Sequence, residues 1–64
     1  MPADDPREVL FEFVRVGSVV KAIAMDSATG IEVSVMGPTT AGQASLQQLA
    51  VQKLKARLAR EGKV

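Results

Sequence analysis

Hydrophobic and polar residues follow two rhythms along this chain. From Glu8 to Met36 the pattern changes sides at every residue, as in a β-strand. From Leu46 to Leu58 it recurs every fourth residue, as in a helix. Glu8–Val16 reads as a first strand, rich in Val and Phe and free of Gly and Pro. Val9, Phe11 and Phe13 share one face, and Leu10, Glu12, Val14 and Val16 the other. Because both faces are largely apolar, this strand is expected to be central or covered on both sides.

Gly17-Ser18 supplies a two-residue hairpin loop. A type II′ turn needs positive φ at its first central residue, which Gly adopts without steric cost. That loop sets a register: Val16 opposite Val19, Arg15 opposite Val20, Phe13 opposite Ala22 and Phe11 opposite Ala24. Large Phe side chains then face small Ala side chains, leaving room for a helix above them. The second strand is Val19–Asp26, with Val20, Ala22 and Ala24 on the Phe face and Val19, Lys21, Ile23 and Met25 on the other. Asp26 at the head of Ser27-Ala28-Thr29-Gly30, with Gly at its end, suits a type I turn closed by a left-handed residue. Ile31–Met36 alternates cleanly and reads as a third strand. With Asp26 opposite Ile31, Val33 and Val35 fall on the Phe face.

Gly37-Pro38 is expected to end that strand. Thr40-Ala41-Gly42-Gln43 matches a capping box, in which the Thr40 hydroxyl accepts from the Gln43 amide and the Gln43 side chain reaches back. The helix then runs to about Glu61, with Gly62 as its stop and basic residues in its last turns. Leu46, Ala50, Leu54 and Leu58 form its apolar row, flanked by Leu49 and Val51. Leu46 and Leu49 share a side with Lys53, Arg57 and Arg60. Either those long stems lie over the rim of the sheet, or the side is a partner surface. The elements predict an α+β domain: a three-stranded antiparallel meander (β-β-β) with one C-terminal helix packed on one face. It spans residues 8–62, after a flexible tail at 1–7.

Composition narrows the chemistry. With 64 residues the chain makes one small domain, and such a domain buries only about 60% of its unfolded surface. It contains no Cys and no His, which removes disulfides, thiolate chemistry, and the commonest zinc ligand and general base. The means of stabilisation left are helix-on-sheet packing and self-association. No apolar run approaches the ~20 residues of a membrane helix, and the acidic start MPADDPRE has no apolar core segment of a secretory signal. A cytoplasmic protein is expected. Charge is uneven: residues 1–42 carry three cations against six anions, net −3, and residues 43–64 five cations against one anion, net +4.

Candidate chemistry is sparse. Gly37-Pro38-Thr39-Thr40-Ala41-Gly42 has the G-x-x-x-x-G spacing of a phosphate loop between strand and helix. Gln43 and Ala44 stand where Lys and Ser/Thr are needed, so strand end plus helix cap is the preferred reading. Glu12, Lys21 and Glu32 lie on one sheet face as a cross-strand charge cluster, read as surface rather than as acid–base machinery. No catalytic, cofactor-binding or metal-binding residue is assigned, and no enzyme activity, cofactor or membrane partner is expected. Lys53, Arg57 and Arg60 form an i, i+4, i+7 stripe suited to phosphate contacts, but no Tyr or Trp is present to stack bases.

One helix covers one face of a three-stranded sheet. The other is left with Leu10, Val14, Val16, Val19, Ile23, Met25 and Met36, an apolar patch of the kind that marks an interaction site. The leading expectation is therefore a non-enzymatic interaction module, a homodimer or an adaptor for a protein partner. The alternative is a nucleic-acid-binding accessory protein using the basic helix. The stretches EVLFEFVRVGSVVKAIAMDSATGIEVSVMGP and LQQLAVQKLKARLA resemble a family of small alphaproteobacterial proteins of unknown function, over roughly residues 8–60. The resemblance implies a shared small fold; it implies no activity and no functional residues.

Overall fold

The computed structural model describes residues 8–62, so the tail read at 1–7 lies outside the described residues. The order is β1 (Val9–Val16), β2 (Val19–Asp26), β3 (Glu32–Pro38) and α1 (Gln43–Arg60). The strands form one antiparallel sheet in the order β1-β2-β3, and the helix packs across it on β2 and β3. The expected α+β meander with a C-terminal helix is the observed architecture.

The hairpin register follows from its two-residue loop. Val16 pairs with Val19, Phe13 with Ala22 and Phe11 with Ala24. Gly17 has φ of 63° while Ser18 keeps negative φ, as a type II′ turn requires. The second hairpin closes on Asp26, whose amide donates to the Ile31 carbonyl at 2.9 Å; Ala24 faces Val33 and Ala22 faces Val35. Gly30 is left-handed at φ 78°, as expected. Its amide donates to the Asp26 carbonyl at 2.7 Å, so the bond that closes the loop spans four residues rather than the three of a type I turn.

The third strand runs further than expected. Gly37 and Pro38 pair with Val20 and Val19 instead of ending the strand. Bonds at Asp26–Ile31 and Thr39–Ser18 mark alternate pairs, so the Pro38 nitrogen points to the open edge of β3, where a missing N–H costs no ladder bond. Gly37 has its own reason to be glycine: a Cβ there would lie 2.7 Å from Leu46 Cδ2. The first turn of the helix therefore seats directly on the end of β3.

The expected capping box does not form. The N-cap is Gly42, with no side-chain cap, and its carbonyl accepts from Ser45 and Leu46. The Ala41 amide turns back to the Pro38 carbonyl at 2.9 Å, which uses Thr39 and Thr40 in a turn before the helix begins. The C-terminus ends as expected. Gly62 adopts φ 73° and donates to the Ala59 carbonyl, one of the two bonds of a Schellman end.

The core is thin. The predicted helix row Leu46, Ala50, Leu54 and Leu58 is buried, as are Ala22, Ala24 and Val33 on the sheet, and Ala50, Leu54 and Leu58 cluster with Ala24 and Val33. Val9, Phe11, Ile31 and Val35 pack partly against the main cluster. Phe13 is half-buried and lies outside that cluster, a lesser role than its equivalence to Phe11 suggested. Small Ala residues on β2 let the helix come close, and that draws it over β2 and β3 and away from β1. Among the described residues Leu54 is the only large apolar side chain wholly out of solvent.

Candidate interaction face

The sheet surface opposite the helix is built in cross-strand rows. Leu10, Met25 and Glu32 make one row, Glu12, Ile23 and Ser34 the next, Val14, Lys21 and Met36 the third, and Val16, Val19 and Pro38 the last. Period-two alternation puts all of them on one side. None of the seven apolar residues expected to line a partner face is buried: Val14, Val19, Ile23 and Met25 are half-buried by their neighbours, and Leu10, Val16 and Met36 are 44%, 64% and 64% exposed. Leu10, Phe11, Glu12, Ile23, Met25 and Glu32 line a shallow depression towards one end.

β1 is an edge strand, not the central or doubly covered one its composition suggested. Among the described residues, no second layer reaches its apolar outer face, and its outer edge carries no further strand either. Since Ser27 donates to the Glu8 carbonyl, the backbone groups of Val9, Phe11, Phe13 and Arg15 point away from β2.

The charges on the outer face do not form the cluster expected. Among the described residues, neither Glu12, Lys21 nor Glu32 makes an ion pair. Lys21 is the diagonal neighbour of Glu12, within side-chain reach but not closed on it, and Glu32 lies two rows away from Lys21.

The basic stripe is partly consumed by its own fold. Lys53 Nζ donates to the Ser34 carbonyl at 2.9 Å, and Arg57 Nε to Glu61 Oε2 at 2.9 Å. Lys53 thus lies over the sheet rim, the first of the two readings the sequence offered. Arg60 is exposed. Beside these cations, Leu49 is 52% exposed.

A buried polar device in the second hairpin escaped the sequence reading. Asp26 is fully buried, and its Oδ2 accepts from the Thr29 amide at 3.1 Å and the Thr29 hydroxyl at 2.7 Å. Thr29 Oγ1 in turn accepts from the Ile31 amide at 3.2 Å. The signal was present as Asp26 followed three residues later by Thr29, the spacing at which a carboxylate caps a single turn.

A family described as Domain of unknown function (DUF6898) matches residues 6–61. The chain belongs to that family. The DUF6898 match spans the three strands and the helix, so the outer sheet face lies within the family unit. No curated protein and no solved structure matches the chain. Among the described residues, no helix is long and apolar enough to cross a membrane.

Proposed function

We propose that this chain is a non-enzymatic interaction module that self-associates through the outer face of its sheet. The carrying observation is the unlayered apolar face. Leu10, Val16 and Met36 stand exposed around half-buried Val14, Val19, Ile23 and Met25, while the helix serves only the other side. A second copy is the favoured occupant because the core is so small. With a core of only seven buried apolar residues among those described, three of them Ala, the domain gains stability from a second layer, which dimerisation supplies by mass action. The lack of His and Cys supports the non-enzymatic reading. A bacterial setting, in line with the resemblance to small alphaproteobacterial proteins, and a cytoplasmic location are part of this proposal. The nucleic-acid alternative is less well supported, since Lys53 and Arg57 are engaged within the chain.

Light scattering across the micromolar range tests the reading. The wild-type chain is expected to be dimeric, and Val16→Lys and Met36→Lys monomeric with unchanged helical circular dichroism. Both positions are mostly exposed, so neither change disturbs the helix-side core. A wild-type monomer throughout that range, or variants that dimerise as wild type does, would overturn it.

A further inference from the structure

Resting on that reading, we infer that two copies stack face to face with their strands antiparallel, about a two-fold axis across the strands, so that Lys21 of each copy pairs with Glu12 of the other. The inference comes from where the outer-face charges sit. Two aligned two-fold arrangements bring identical sheet faces together. In one the axis runs along β2, and every residue of that strand meets its own copy. Lys21 then faces the partner's Lys21, and Leu10 on β1 faces the partner's Glu32 on β3. Like charges and a desolvated carboxylate oppose that arrangement.

In the other the axis lies across the strands, between the Glu12–Ile23–Ser34 row and the Val14–Lys21–Met36 row. Each strand then lies over its own copy, run in reverse. Leu10 and Met25 lie over the partner's Val16 and Val19, apolar on apolar. Lys21 lies over the partner's Ile23, one strand from the partner's Glu12. Stacked sheets are about 10 Å apart and neighbouring strands about 4.8 Å, a span that a lysine and a glutamate bridge between them. Symmetry makes the pair twice. Glu32 falls at the rim over the partner's Pro38, where its carboxylate stays in water. Of the two arrangements, this is the one that sets Glu12 and Lys21, which make no ion pair within the chain, against opposite charges of the partner.

The test is a mixing experiment with two charge reversals, read by sedimentation equilibrium. Glu12→Lys alone and Lys21→Glu alone each place like charges together twice per dimer, and each is expected to weaken homodimerisation by about tenfold or more. Mixed in equal amounts, the two variants are expected to form a heterodimer of near wild-type strength, because both intermolecular pairs are again opposite in sign. Within each variant chain residues 12 and 21 still repel, so recovery on mixing comes only from contacts between chains. Single reversals that dimerise like wild type, or a mixture no tighter than its components, would overturn the arrangement and point to another surface such as the β1 edge. Self-association itself would stand in that case. A wild-type chain that stays monomeric removes both the arrangement and the reading beneath it.

Discussion

Lys53 of the helix closes the open edge of β3 by donating from Nζ to the Ser34 carbonyl at 2.9 Å. Ser34 lies opposite Ile23 between two hydrogen-bonded pairs, so its carbonyl points away from β2 and has no strand to receive it. Lysine on or over a sheet edge is a recognised guard against edge-to-edge pairing. Lys53→Ala is expected to cost under about 1 kcal/mol in urea denaturation, because the bond is exposed. It is also expected to raise aggregation on heating. An unchanged aggregation onset would show that the edge needs no such guard.

Asp26 and Thr29 hold the second hairpin from inside. Asp26→Ala removes an acceptor shared by an amide and a hydroxyl in a buried site, and is expected to cost about 2 kcal/mol. Thr29→Val keeps the shape but loses both hydroxyl bonds, and is expected to cost about 1 kcal/mol. Urea unfolding of both variants checks this. A neutral Asp26→Ala would mean that the loop closes on its backbone bonds alone.

Leu54 carries the core. Leu54→Ala is expected to cost about 2–5 kcal/mol, as cavity-forming changes do. Leu49→Ala, on the exposed side of the same helix, is expected to stay within about 0.5 kcal/mol. Equal effects would mean that the helix is rotated from the face described.

Gly37 and Gly42 separate close packing from capping. Gly37→Ala drives a methyl into Leu46 and is expected to cost about 1–3 kcal/mol. Gly42→Asp meets open space, adds the missing N-cap acceptor and puts an anion next to a first turn that has none. It is expected to stabilise by about 0.5 kcal/mol. Thermal melts of the pair check both signs.

Much of this fold was written in local sequence. The two-residue loop at Gly17-Ser18 left one register for the first hairpin, and Asp26 with Gly30 set the second, so the contents of both sheet faces followed by alternation. The i, i+4 row at Leu46, Ala50, Leu54 and Leu58 named the buried helix face. What failed depended on three-dimensional context. Pro38 reads as a strand breaker, yet at an outward-facing edge position it is harmless. Thr40 had a capping spacing, but seating Leu46 on Gly37 delayed the helix to Gln43. The apolar second face of β1 suggested a central strand because sequence records that a residue seeks cover and not whether its own chain provides it. That distinction left the outer face legible and its occupant a matter for experiment.

The most direct measurement is solvent paramagnetic relaxation at the methyl group of Met36, followed by NMR as protein concentration rises. Met36 is 64% exposed in the single chain and sits in the third row of the outer face. The account expects its relaxation by a soluble probe to fall as dimer forms, together with that of Ile23. Relaxation that stays constant while the chain dimerises, or a chain that never dimerises, would contradict it.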